Sequence, residues 1–266
     1  MIELQLKNFI AGGRLSLTNA FIKSVAEKML ADFSPATLQA PQPTNVDGFI
    51  TEYLGFLLRY EFLSNNLSIL GLTNYGDSDL TLYDPANRTI KKERIDKDTV
   101  IVDKRMLEAP NNVRYSYTVA HEGGHIIFDN PAVRQQIEDS RILAMECAEE
   151  FYEAAAYHTG AFSLTKPKDE ARWIEHYCDQ FASCLILPEK TVRAAGIEIL
   201  RKKGIRSDCI HPHTEAERKF CFEELVGGIA KIFETSKEAA LYKLCDLKLI
   251  RGGRDIIERM RLKYKR

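Results

Sequence analysis

The chain has 266 residues, 45% of them hydrophobic, enough for one sizeable core or for a main domain with a small appendage. Lysine and arginine total 37 against 38 aspartate and glutamate, so no global imbalance of charge points to nucleic acid or to an acidic partner. No apolar run approaches the roughly 20 residues of a membrane span, and Met1 to Ser24 holds no signal-type apolar core, so the expectation is a soluble, cytosolic protein without a membrane partner. Six cysteines without a C-x-x-C pair suit that compartment, several of them at apolar helical positions.

Thr18 to Phe33 repeats apolar residues at Phe21, Ile22, Val25, Met29 and Leu30 behind a Thr18 or Asn19 cap, which predicts an amphipathic helix. Ser34 to Thr44 carries three prolines among small polar residues and reads as a linker, closing an N-terminal segment over 1–45. A second helix is expected over Val46 to Leu63, opening a main domain over 46–200. From Leu67 to Asp103 the period shortens: Ser68 to Thr73, Leu80 to Tyr83 and Thr99 to Val102 read as strands separated by turn-forming stretches at Gly76 to Asp79 and Asp84 to Asn87. A small antiparallel or mixed sheet follows, and its exposed edge could take an extended peptide by strand addition.

Asn111-Asn112 breaks the chain before an apolar run, Val119 to Ile127, that contains His121-Glu122-Gly-Gly-His125. Residues four apart on a helix leave the same face, so both imidazoles can close on one ion, and Glu122 stands where it can take a proton from water. That is the equipment of a zinc hydrolase: two imidazole ligands, an open position and a carboxylate base. Gly123 and Gly124 each cost about 1 kcal/mol against alanine inside a helix, which marks places where another backbone or the cleft floor packs close. Asp129-Asn130-Pro131 must end the helix near Phe128. A metzincin extension would need glycine at Phe128 and histidine at Pro131, so the third ligand has to come from farther along.

Val133 to Tyr157 is an acidic helical stretch in which Glu146, Glu149, Glu150 and Glu153 are ligands by residue type alone, although such runs are usually solvated faces. Ala171 to Leu187 predicts a helix stopped by Pro188, with Glu175, Cys178, Asp179 and Ala182 on one face. Glu175 can complete a His₂Glu site and Asp179 can fix the tautomer of a ligand imidazole, or both are ordinary surface acids; spacing leaves both readings open. Cys209, His211, His213 and Cys221 depart from zinc spacings, and Pro212 points to a polar surface loop. Beyond them, in a C-terminal region over 201–266, Thr214 with Glu217 suggests a capping box, and Phe220 to Phe233 followed by Ser236 to Leu247 reads as helix, turn, helix. Lys237, Glu238 and Lys243 give that second helix little net charge for reading DNA, and the basic tail Arg251 to Arg266 reads as a solvated helix that could touch nucleic acid.

Arg114 to His125, R-Y-S-Y-T-V-A-H-E-G-G-H, resembles the R-x-x-F-T-x-A-H-E-x-G-H pattern of the ImmA/IrrE zinc metallopeptidases. Glu175 to Pro188 is similar to their E-x-x-A-[ND]-x-x-A-x-x-L-L-M-P, and Ile229 to Ile250 looks like the helical segment that follows. The resemblance covers about residues 18 to 250, with only the first two motifs specific. Tyr117 stands where the family has Phe, Cys178 where it has Ala and Leu187 where it has Met; the interval from His125 to Glu175 is long, and Cys209 to Phe222 looks inserted. Carried over, the resemblance implies zinc ligands at His121, His125 and Glu175, a general base at Glu122, and an α+β zincin-like domain whose small sheet packs on helices, followed by a helix-turn-helix-like segment. It also implies a protein substrate, a helix-turn-helix repressor of phage, mobile-element or stress genes. A second donor to the oxyanion has four candidates, Tyr115, Tyr117, His158 and His176. Two rival readings are a repressor-docking module that does not cut and a DNA-binding regulator that uses the C-terminal helices.

Overall fold

The computed structural model describes residues 6–11, 13–140 and 167–252, with side chains from 172 onward in the last segment. Glu146, Glu149, Glu150, Glu153, Cys147 and His158 lie outside the described residues, as does the tail from 253. The chain is a mixed α+β protein of helices and small sheets. A two-residue hairpin, β1 (Ile10–Ala11) and β2 (Arg14–Leu15), leads into α1 (Asn19–Phe33). Thr18 caps α1 by accepting the Phe21 amide at 3.2 Å, and Ile22, Val25, Ala26, Met29 and Leu30 form its buried face. The proline-rich stretch that follows is packed rather than loose: it forms the short helix α2 (Ala36–Gln39), and the Thr44 hydroxyl donates to Leu185 O at 2.9 Å.

The expected helix from Val46 to Leu63 is corrected to roughly its first half. A short α3 (Val46–Gly48) continues as a π-type turn over Phe49–Tyr53, and Gly55, at φ +74°, takes the left-handed backbone that ends it. Residues Leu57–Glu61 then form β3, because a parallel partner is available in β7 (Thr99–Asp103). The sheet has the order β3-β7-β4, with β4 (Gly71–Asn74) antiparallel to β7 and at the edge. Alternation along β7 buries it on both faces: Val100 and Val102 join the main core, while Ile101 joins Leu63, Leu82 and Ile95 beneath the hairpin β5 (Ser78–Asp84) and β6 (Thr89–Ile95).

A 3-10 turn at Asn111–Arg114 runs into α4 (Tyr115–Phe128), which stops at the expected place. Residues 131–140 form α5. The next helix, α6 (Pro167–Ile186), starts earlier than expected and ends before Pro188, which precedes α7 (Glu189–Lys202). The capping box of Thr214 and Glu217 opens α8 (Glu215–Phe220). A π-type turn over Cys221–Val226, α9 (Gly227–Ile232) and α10 (Lys237–Asp246) complete the described chain. One buried cluster from Leu6 to Ile250 draws on all three predicted segments. Among the described residues no helix is long and apolar enough to cross a membrane.

Candidate metal centre

His121 and His125 leave α4 on one face, their Nε2 atoms 3.2 Å apart. Glu175 reaches them from α6, with Oε2 at 3.2 Å from His121 Nε2 and Oε1 at 3.5 Å from His125 Nε2. These three side chains are the one group among the described residues placed to hold a metal ion. What lets α6 come this close is Gly124. A methyl group there would stand 2.7 Å from the Cys178 Cα, so only glycine permits the two backbones to cross at this distance. Gly123 faces only side chains, with Ile50 Cδ1 at 3.3 Å from an added Cβ. The expectation that the glycines mark a close approach therefore holds for the backbone at Gly124 and for side chains at Gly123.

Each imidazole meets a carboxylate on its far side. His121 Nδ1 lies 3.0 Å from Asp179 Oδ1, which also accepts the Tyr117 hydroxyl at 3.1 Å. His125 Nδ1 lies 3.4 Å from Asp129 Oδ2. A carboxylate accepts only, so Asp179 draws a proton to His121 Nδ1, and Asp129 stands on the corresponding side of His125; with a cation held between the Nε2 atoms and Glu175, Nδ1 is the nitrogen left to carry the proton on each ring. The two Nε2 atoms face each other across 3.2 Å with Glu175 beside them, three donor atoms that a shared proton or a cation between them satisfies. Burial works against the Asp179 carboxylate, but the bonds from His121 and Tyr117 outweigh it and hold the carboxyl below its usual range. Burial likewise disfavours a charged His121, and Asp179 with the neighbouring Glu122 and Glu175 reverses the balance, raising its pKa. Asp129 is also held low, burial being outweighed by His125 and Arg134. The pocket thus favours positive charge.

Glu122 is buried at 6% exposure on the same helix. Thr73 of β4 donates its hydroxyl to Glu122 Oε2 at 2.7 Å, and burial pushes the carboxyl above its ordinary pKa in spite of that bond. Gly71 leaves room for the other oxygen: a Cβ there would stand 2.5 Å from Oε1. Both residues were missed from sequence, since nothing local connects Thr73, or Gly71 just before it, to Glu122, which lies 49 positions after Thr73. Asp129 was missed as well, although it stands four residues after His125, the spacing that pairs the two histidines.

Of the four oxyanion candidates, Tyr115 donates to Asp47 Oδ1 at 2.8 Å and meets the Tyr60 hydroxyl at 2.8 Å, while Tyr117 is engaged with Asp179. His176 lies edge-on to Trp173, ring centroids 5.9 Å apart, and His158 lies outside the described residues. Tyr115, Tyr117 and His176 all line a cavity of about 1920 Å³ that contains the His-His-Glu group. Its walls are the edge from Ser68 to Thr73, the start of α4, the Glu175 face of α6 and the C-terminal helices through Lys231, Lys237 and Tyr242. His211 and His213 stack with centroids 6.0 Å apart and Cys221 is buried; with Cys209 they form no metal group among the described residues. No protein-family model matches the chain, and no curated protein matches it.

Proposed function

We propose that the chain is a zinc-dependent endopeptidase, similar to the ImmA/IrrE metallopeptidases, in which His121, His125 and Glu175 hold the ion and Glu122 is the general base. The observation that carries this is the pair of facing Nε2 atoms, each ring with a carboxylate beside its Nδ1 and with Glu175 closing the third side. Donors about 2.0–2.1 Å from a tetrahedral zinc stand about 3.3–3.4 Å from one another. The separations here are 3.2, 3.2 and 3.5 Å, and all three residues line the cavity. Two neutral rings and one carboxylate suit zinc and leave it a net positive charge.

A bound zinc ion supplies Lewis-acid chemistry, acidifying a water and polarising the scissile carbonyl. Glu122 accepts the proton of the attacking water and passes it to the amide nitrogen as the C–N bond breaks. Thr73 and Gly71 hold that carboxylate in one orientation. The edge strand β4 runs beside Glu122, with Ser68 to Thr73 lining the cavity, so an extended substrate backbone can pair with it. The substrate is a protein, a helix-turn-helix repressor by the family resemblance, and the cavity has the volume for a peptide segment. The test is zinc content and cleavage of the repressor encoded nearby, for wild type and Glu122→Gln. Both proteins are expected to hold one zinc, and the variant to lose cleavage by about 10²- to 10⁴-fold. A variant that keeps its zinc and cuts at the wild-type rate removes Glu122 from the chemistry.

A further inference from the structure

The turn between α4 and α5 carries more bonding than a helix stop requires. Asn130 does the capping there: its Nδ2 donates to Ile126 O at 3.0 Å and its Oδ1 accepts the Val133 amide at 3.1 Å. The Asp129 carboxylate is free of that task and turns back along α4 to stand 3.4 Å from His125 Nδ1. Arg134 grips it with both arms of the guanidinium, Nε to Oδ1 at 2.9 Å and Nη2 to Oδ2 at 2.7 Å. Such a planar two-bond fork fixes orientation as well as distance. The other face of the guanidinium lies over the Tyr75 ring, 5.7 Å from its centroid, just past the strand that supplies Thr73.

We propose that Asp129 is a positioning residue for the metal centre, locked by Arg134 so that it keeps His125 in the tautomer whose Nε2 is free to ligate. This rests on the reading of His121, His125 and Glu175 as a zinc site. The two ligand histidines are supported differently. Asp179 reaches His121 from α6 and is steadied by a neutral hydroxyl, that of Tyr117. The support of His125 is local, all within residues 125–134, and is steadied by a cation. Among the described residues the carboxylate beside His125 Nδ1 comes from the α4–α5 turn, with Tyr75 packed on Arg134, and α6 completes the site by bringing Glu175 and Asp179.

The test measures zinc affinity by chelator competition, with the melting temperature of the metal-free protein as control, for wild type, Asp129→Asn, Asp129→Ala and Arg134→Gln. Loss of such a supporting carboxylate weakens zinc binding by about 10- to 100-fold in comparable sites. That loss is expected for both Asp129 variants, with a smaller one for Arg134→Gln and metal-free melting close to wild type. The isosteric Asn variant carries the test if the Ala variant does not fold. Zinc dissociation constants within about twofold of wild type in both Asp129 variants overturn the proposal, and lowered melting with unchanged affinity reassigns Asp129 to packing. A wild-type protein that binds no zinc removes the metal site itself, and this role with it.

Discussion

At the scale of single residues, the site is a set of side chains whose alternatives have been closed off. Glu122 is the clearest case: one oxygen is tied to Thr73, and the other lies over a glycine that has no side chain to push it away. Gly71→Ala adds a methyl where Oε1 now stands, so it is expected to fold, at a cost of about 1–3 kcal/mol, and to displace the base. A shift of about 1 Å in a catalytic group can cost about 10²-fold in rate. Peptidase kinetics beside a melting curve check this; a variant with wild-type turnover means that the Glu122 orientation set by β4 does not matter. His121, Glu122 and His125 were legible because a helix repeats every 3.6 residues; the same period put Glu175 and Asp179 on one face but left them open as surface acids, and only the family resemblance singled out Glu175. Gly71 and Thr73 were not, because strand-to-helix contacts obey no short period. Asp129 was hidden differently: Asp-Asn-Pro satisfies the rule for ending a helix, and that sufficient explanation masked a second use of the first residue.

Among the elements, the contact of α4 with α6 decides whether a site exists, since two ligands stand on one helix and the third on the other. Gly124 and Gly123 separate two effects of glycine at that contact. Replacing Gly124 with alanine forces a methyl to 2.7 Å from a backbone atom, so the helices must part; destabilisation of about 3 kcal/mol or more is expected, together with weakened metal binding. Gly123→Ala meets the tip of Ile50 at 3.3 Å and the Phe49 ring at 3.5 Å and gains about 1 kcal/mol of helix propensity, so its stability should stay within about 1 kcal/mol of wild type. Denaturant unfolding of the two variants checks the contrast, and equal costs would contradict the close crossing. Helices with a clean apolar period, such as α1 and α6, were read nearly to their ends. The stretch from Val46 to Leu63 was not, because its second half owes its strand to β7, some 40 residues later, and the turn at Gly55 depends on a backbone angle that residue type only permits. The strand β6 escaped notice because its outward positions are lysine, arginine and glutamate, and only Ile95 is fully buried.

For the whole molecule, the mixed α+β class followed from the succession of periods, while the parallel pairing of β3 with β7 and the edge position of β4 did not. Those two features set the cleft, because they place the edge strand β4 with Gly71 and Thr73 against Glu122 of α4. The C-terminal helices, which the sequence left open as a DNA-reading pair, line the same cavity as His121 and Glu175. As a wall of the cleft they stand where the proposed protein substrate would lie. The central claim is that one His₂Glu zinc centre organises all of this, and metal analysis tests it most directly. Wild type, His125→Ala and Glu175→Gln are purified without added metal, dialysed and assayed for bound zinc. One zinc per wild-type chain, near none in His125→Ala and a weakened, exchangeable fraction in Glu175→Gln is the predicted result. No zinc in wild type, or the same content in all three proteins, would contradict the account.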